Sequence, residues 1–386
     1  MNPLPNPRIG LFKRTRFGDE WVAAYIPPPL PPEPPLDLSG LIGKLSAADR
    51  AVGRLDGITT LLPDHTLFLF MYVRKEAVLS SQIEGTQSTL TDLLRFETEA
   101  QSGEPVDDLK EVSNYISAMH YGLERVATLP LSLRLIREMH TRLMRDGRGA
   151  SKEPGEFRRS QNWIGGSRPG NALYVPPPVE NLDDCLAKFE TFIHQSTPEL
   201  PPLIKAGLLH LQFESIHPFL DGNGRLGRLL ITLYLCVEGV LKEPLLYLSL
   251  YFKQHRETYY QLLQEVRERG NWEAWLEFFL AGVVQTANQA FTTATEITAL
   301  FQADRTRISQ GADRAGSALR VHELMQKQPF LTAARAVADT GLSIPTVNAA
   351  FAALGRYGIV DEITGRGRGR VYRYRRYMEL LSDGTG

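Results

Sequence analysis

Residues 217–228 read His-Pro-Phe-Leu-Asp-Gly-Asn-Gly-Arg-Leu-Gly-Arg and gather an imidazole, a carboxylate, three glycines and two guanidinium groups. Chemistry at a nucleotide phosphate needs these groups. Gly222 and Gly224 let backbone N–H groups come close to an anion. The apolar run 229–235 follows directly and reads as a buried helix. The glycine turn therefore falls at a helix N-terminus, where unpaired N–H groups and the macrodipole favour phosphate. Arg225 and Arg228 are three apart and share a face of the first turn. Both then reach one polyphosphate, and the planar guanidinium gives paired hydrogen bonds to it. Asp221 precedes the turn and can hold Mg²⁺ through one carboxylate while phosphates fill other positions. His217 is the group here that titrates near neutral pH, which makes it the natural general base. The plain alternative, a helix cap with surface arginines beside a core histidine, would need none of the other residues.

The run resembles the signature of the Fic family, His-x-Phe-x-(Asp/Glu)-Gly-Asn-Gly-Arg-x-x-Arg, at every specified position. The resemblance implies a nucleotidyl transferase that moves AMP from ATP onto a protein hydroxyl of Ser, Thr or Tyr. Carried across, His217 deprotonates the target hydroxyl, Phe219 anchors the loop in the core and Asp221 binds Mg²⁺. The Gly222-Asn223-Gly224 backbone holds the α- and β-phosphates. Arg225 and Arg228 contact phosphates, Arg228 the terminal one, with Leu226 and Gly227 in the same nucleotide-binding segment.

A second stretch, Ser80-Ser81-Gln82-Ile83-Glu84-Gly85, ends a helical pattern. Ser80 and Glu84 are four apart and share a face. It resembles the inhibitory motif (Ser/Thr)-x-x-x-Glu-(Gly/Asn) of regulated Fic proteins, in the subclass with the inhibitory helix on the N-terminal side. The resemblance implies an ion pair from Glu84 to Arg228 that denies this arginine to ATP. A glutamate beside a glycine at a helix end is the plain reading. Two β-prone pieces flank a Gly/Pro/Asn turn in 163–175, a hairpin signal. The resemblance implies that it is a flap beside the active site, able to bind a target segment by strand addition. Tyr259 and Tyr260 fall where Fic relatives carry a Tyr-Tyr pair near the base. Either ring can stack on adenine, one of the two being core. His255 stands where family members often have Asn. A homodimer is a family-level expectation.

The chain of 386 residues is long enough for two or three domains. A 43% hydrophobic share fits a folded globular protein, and a net charge of −1 gives no global pull toward nucleic acid or membrane. Two cysteines, Cys185 and Cys236, give no disulfide framework and point to a reducing compartment. No basic stretch followed by an apolar run opens the chain, and the apolar stretch near 229–240 is too short to span a bilayer. These readings make the cytoplasm the expected location.

The fold expectation is mainly α: a Fic-type helical core with a hairpin flap and a C-terminal winged-helix domain. Residues 1–40 read as an extended proline-rich arm, strapped over the surface or offered to an SH3-like partner. Residues 41–127 read as an N-terminal helical region carrying the inhibitory motif, with a break at Pro63. A further helix is expected near 106–127 in that region, and the catalytic core over 128–300, with helices near 131–146, 180–195, 201–216, 223–239, 251–268 and 271–300. From Ser317 on there are ten basic and six acidic residues. The order there is helix (318–328), helix (332–340), turn at Gly341, helix (343–357) and a hairpin-like stretch (359–374). That order over 317–380 resembles a winged helix, in which Ser343 caps the third helix and Pro345 suits its first turn. If DNA is its ligand, Pro345, Thr346, Asn348 and Arg356 are the polar candidates, and Arg366, Arg368 and Arg370 of the wing reach phosphates. Protein docking is the alternative for such a module.

Three competing functions remain open from the sequence alone. One is a DNA-binding regulator that only senses nucleotide, which would need no base at His217. Another is a metal hydrolase using His210, Glu214 and His217 at i, i+4 and i+7, against which stands the apolar packing around them. The last is transfer of another nucleotide, or removal of AMP by the same site.

Overall fold

The computed structural model describes residues 7–59, 65–99, 107–196, 199–311 and 315–385. The expected break at Pro63 lies outside them. The described residues are mainly helical, with two small antiparallel sheets among them. The N-terminal arm differs from expectation: it opens with a hairpin, β1 (Leu11–Phe17) and β2 (Glu20–Ile26), paired from Leu11↔Ile26 to Phe17↔Glu20. A Gly18-Asp19 turn closes it, with Gly18 at φ 58°, a conformation suited to two-residue hairpins. The arginine-rich β1 hides its alternation among charges, which is why the arm looked irregular. The prolines after it form the strap. Pro27, Pro28 and Leu30 are buried, and the Pro28 carbonyl accepts from Gln212 Nε2 at 2.8 Å.

Helices α1 (Ile42–Thr59), α2 (His65–Ile83), α3 (Leu90–Glu99) and α4 (Asp107–Arg125) come next. They lead to α5 (Leu133–Leu143), capped by Ser132, and α6 (Val179–His194). Helix α7 (Pro202–Ile216) is buried on every side from Leu203 onward, as a helix apolar all round must be. Pro202 starts it, since a first-turn position needs no N–H donor. Helix α8 (Asn223–Val237) packs against α7, and the loop between them is the 217–222 segment. The expected single helix over 251–268 is broken at His255 (φ −116°) into α9 (Ser249–Gln254) and α10 (Arg256–Arg269). Helix α11 (Trp272–Gly311) runs past its expected end at 300; it packs on α1 and α7, then on the C-terminal helices.

The tail contains α12 (Ala315–Lys327), β3 (Phe330–Thr332), α13 (Ala333–Thr340), α14 (Ile344–Arg356), β4 (Val360–Glu362), β5 (Val371–Tyr374) and α15 (Arg375–Ser382). Thr332 and Ser343 cap α13 and α14. The sheet order is β3-β5-β4, with β5 central. Helix α15 returns to pack on α2, α3 and α11, α12 packs on α11 and β3 on α3, so these elements join the tail to the preceding helices.

No described helix is long and apolar enough to cross a membrane. The α7–α8 contact is close at Gly227, where a Cβ would lie 2.6 Å from Glu214 Oε1 and 3.2 Å from the Phe213 ring. Gly53, inside α1, has nothing within 4 Å of such a Cβ. Ala is preferred to Gly in a helix by about 1 kcal/mol, while overpacking costs roughly 1–3 kcal/mol. Urea unfolding should show Gly53→Ala more stable than wild type and Gly227→Ala less stable.

Candidate active site

The site is built on the α7–loop–α8 turn. His217 ends α7 at φ 49°, ψ 61°, a left-handed conformation costly for a side chain with a Cβ. Three side chains hold the last carbonyls of α7 and so fix that turn. Arg267 donates to the Glu214 carbonyl at 3.3 Å, Tyr174 donates its hydroxyl to the Ser215 carbonyl, and Arg158 Nε donates to the His217 carbonyl at 3.0 Å. Cations at a helix C-terminus are favoured by its dipole. Arg158, 1% exposed, also donates to the Pro177 carbonyl, so it fastens the loop to the segment after the flap.

Beyond His217 the loop is anchored by its own residues. The fully buried Phe219 ring stacks on His140 at 3.7 Å. Asn223 folds its amide back on the loop, accepting from Phe219 N and donating to Phe219 O, both at 2.9 Å. Gly155 N donates to His140 Nδ1 at 2.8 Å, which puts the ring proton on Nε2 and directs it to the Asp221 carbonyl at 3.0 Å. Burial pushes the His140 pKa down to about 4, which keeps that tautomer neutral.

Gly222 (φ 75°) begins α8, and no side chain caps the helix. Its first turn therefore offers backbone N–H groups to an anion. Glu84 stands at this place. A Cβ on Gly224 would lie 2.3 Å from Glu84 Oε1, so the carboxylate rests directly over the glycine backbone. The same oxygen accepts from Arg228 Nη2 at 2.6 Å. Ser80 completes the arginine's shell: its hydroxyl accepts from Nε at 2.9 Å and its carbonyl from Nη2 at 3.0 Å. Burial works against both charges. For Glu84 it raises the pKa, yet Arg228 outweighs it and holds the carboxyl below its ordinary range. For Arg228 burial favours loss of the proton, and Glu84 more than reverses this. The pair is unequal: the Arg228 side chain is 1% exposed and that of Glu84 33%.

The sequence placed Arg225 beside Arg228, but the structure sends the two apart. Arg225 Nη1 donates to Glu111 Oε2 at 2.8 Å in a buried pair with side chains 3% and 2% exposed, and stands 3.6 Å from Asp221 Oδ1. Glu111 on α4 carried no sequence signal. Leu226 is fully buried and Gly227 faces Glu214, so both turn away from the anion seat. Asp221 Oδ1 accepts from Gly222 N at 2.6 Å, and its side chain is 38% exposed, open to a ligand. One accessible carboxylate beside a phosphate seat fits the way Mg²⁺ is bound, through few carboxylates and substrate phosphates.

Tyr259 is buried, and its hydroxyl meets His210 Nε2 at 2.8 Å, within a stack that includes Phe252 and Trp275. Tyr260 is 41% exposed and close enough to Glu84 and Arg228 to feel their charges. His210 is thus a core histidine. Among the described residues no three His, Cys, Asp or Glu side chains are grouped to hold a metal. The flap is narrower than a full hairpin: one bridge, Ile164↔Tyr174, with a short helical turn at Pro169–Asn171. Asn162 Nδ2 ties it to the Phe219 and Leu220 carbonyls.

The segments that carry this site resemble known proteins. Residues 42–124 match the family described as Fic/DOC family N-terminal, and residues 130–235 match the Fic/DOC family itself. Over these residues the chain carries a Fic N-terminal domain and a Fic domain. It is 34% identical over 190 residues to "Protein adenylyltransferase Fic" of Drosophila grimshawi, covering 48% of this chain and 36% of that one. With the Drosophila yakuba protein of the same name it shares 34% identity over 192 residues, 48% of this chain and 35% of the other. The chain thus spans about a third of the length of the curated relatives it matches. A crystal structure of a Fic family protein from Desulfovibrio desulfuricans G20 shares the fold, with TM-score 0.55 and 20% identity over 86% of this chain and 95% of that one. A Fic domain containing signaling protein from Bacteroides thetaiotaomicron VPI-5482 aligns with TM-score 0.52 and 17% identity, over 65% and 97%.

Glu214 is buried beside this site, and Oε1 has no hydrogen-bond partner. Burial raises its pKa to about 7, from an ordinary 4.5. A carboxyl raised in the folded state lends stability that is full below the unfolded pKa and lost as pH rises through 7. Each unit of difference is worth about 1.4 kcal/mol. Glu214→Gln removes that loss. Thermal unfolding should show the variant gaining on wild type between pH 5 and pH 8; a difference independent of pH would contradict the assignment.

Proposed function

We propose that this chain is a protein adenylyltransferase that moves AMP from ATP to a Ser, Thr or Tyr hydroxyl of a target protein, and that Glu84 restrains it. The observation that carries the reading is the Glu84 carboxylate lying on Gly224 and against Arg228. A carboxylate occupies the place a phosphate would take, at an uncapped helix N-terminus that the loop from His217 leads into.

With Glu84 withdrawn, Arg228 faces the terminal phosphate and the first turn of α8 faces the α- and β-phosphates. Asp221 would hold Mg²⁺, which supplies charge neutralisation at the phosphates. The target hydroxyl attacks the α-phosphorus, the bond to the pyrophosphate oxygen breaks, and the hydroxyl proton passes to His217. Burial, with Arg158 and Arg267 nearby, pushes the His217 pKa down to about 3, so the ring is neutral and able to accept a proton. Anionic phosphates raise that value, as the Glu84 charge already does in part. Arg225 serves this reading from behind, fixing the Asp221 turn through Glu111. Tyr260, the exposed member of the tyrosine pair, is the candidate for the adenine face. The flap edge left open for a target is the 162–168 side, since β2 occupies the other through Tyr25 N to Val175 O at 2.8 Å.

For the tail the supported reading is a winged helix. Helix, strand, two helices and two strands come in that order, and Arg366, Arg368 and Arg370 are exposed on the β4–β5 loop. Their charges suit a phosphate backbone.

The test is incubation of the full chain with Mg²⁺ and ATP labelled at the α-phosphate. Glu84→Gly should raise label transfer on the order of tenfold or more, the range of an ordinary coupling energy. His217→Ala in that background should lose roughly 10²–10⁴-fold, the worth of a general base, and Arg228→Ala should abolish transfer. Equal rates in wild type and Glu84→Gly at saturating ATP would remove the restraint. Loss of label from a pre-modified protein, with none gained, would assign AMP removal.

A further inference from the structure

The N-terminal hairpin carries a second feature that the catalytic reading does not use. One face of it, with Val22 and Ala24, packs on Val175 and beside Trp163 and Ala172 of the flap. Glu20 binds Arg168 and accepts from Gly170 N at 2.7 Å. Hairpin and flap therefore form one continuous surface. The opposite face of the hairpin, set by the strand register, presents Phe12, Arg14, Trp21 and Ala23. Of the eight large hydrophobic residues that are exposed among the described residues, three lie here: Phe12 (54%), Trp21 (58%) and, on the flap, Leu173 (79%), whereas Leu11 falls on the other face by the same register. Such a concentration marks an interaction site.

Phe12, Trp21, Leu173 and Gln264 line a groove of about 220 Å³ between hairpin and flap. Gln264 lies one turn beyond Tyr260 on α10, so the groove opens beside the mouth of the catalytic site. Arg14 sits 4.9 Å above the Trp21 ring and has no carboxylate partner among the described residues. Aromatic rings and arginine are the residues that anchor protein interfaces. Their charge and shape select the occupant.

We infer that this groove docks the target protein, through a segment carrying an apolar side chain for the Phe12–Trp21–Leu173 groove and a carboxylate for Arg14, beside the hydroxyl to be modified. The inference rests on the adenylyltransferase reading for the reaction after docking, but the docking itself is measurable without it.

Two measurements separate them. The first is binding to the catalytically silent His217→Ala full chain, by fluorescence anisotropy. The probes are labelled serine peptides with a Phe-Glu, a Phe-Lys or an Ala-Ala pair at several spacings from the serine. The Phe-Glu set should bind about tenfold or more tightly, which is about 1.4 kcal/mol. Trp21→Ser with Leu173→Ser should remove the preference, and Arg14→Glu should turn it toward Phe-Lys. The second is AMP transfer to the same peptides in the Glu84→Gly chain. There Trp21→Ser with Leu173→Ser should raise KM with kcat and ATP affinity unchanged. Equal binding of all three peptide sets, or a preference that survives the variants, overturns the inference. So does light scattering that shows a dimer dissolved by Trp21→Ser, because a second copy would then be the occupant. Selective binding with no transfer would uphold the docking groove and overturn the transferase reading instead.

Discussion

Arg228 is a cation taken almost wholly out of water, and the rest of the site is arranged around that fact. A buried charge without a partner costs several kcal/mol, so the guanidinium must always face an anion. Ser80 satisfies two of its donors with a hydroxyl and a carbonyl, and these hold its plane in place. The remaining direction is filled by Glu84, whose side chain is a third exposed. The exposed partner can leave for solvent, while the buried one cannot. An anion that arrives with more charge and more acceptor oxygens than a carboxylate is suited to replace it. In the proposed function, restraint and nucleotide recognition are two occupancies of one seat.

That seat is useful only if the loop beneath it is rigid. The chain reverses at His217 in a conformation that glycine would adopt more easily, and three donors on the final carbonyls of α7 hold it there. Asn223 and the Phe219–His140 stack fix the next four residues from inside. Most of these contacts run from side chain to backbone, so they set the path of the loop without using up the groups that face the ligand. Glu111 holds Arg225 in place beside the Asp221 carboxylate.

Helix α2 connects this site to the tail. One of its faces carries Glu76, Ser80 and the approach to Glu84; Glu76 is buried against Ser249 and Tyr115 and has its pKa raised by burial to about 7. Another carries Gln82, whose Nε2 donates to the Thr385 carbonyl at 3.0 Å and whose Oε1 accepts from Lys253 at 2.8 Å. Gly384, at φ 79°, lets the chain end settle against Leu250. The helix that leads to Glu84 is therefore packed on both sides, by α4 and α9 and by the last residues of the tail.

The sequence alone placed the groups on which the proposed chemistry rests. The types and spacing of His217, Asp221, Gly222, Gly224 and Arg228 are legible because a phosphate seat at a helix N-terminus demands local order, and local order is written in consecutive residues. The helices were legible for the same reason, since a period of 3.6 is a short-range pattern. Tertiary structure decided what depends on distant partners. Arg225 left its neighbour because Glu111, more than a hundred residues away, offers a buried carboxylate. Tyr259 went to the core, where its hydroxyl meets His210 Nε2. The β1–β2 hairpin escaped notice because its arginines mask the alternation, and because what holds it is the flap strand at Tyr174 and Val175. Arg158, Arg267 and His140 act through backbone atoms, which no residue pattern announces. A side chain's type states what it can bind; which of several suitable groups it does bind is settled by the packing that brings one of them within reach.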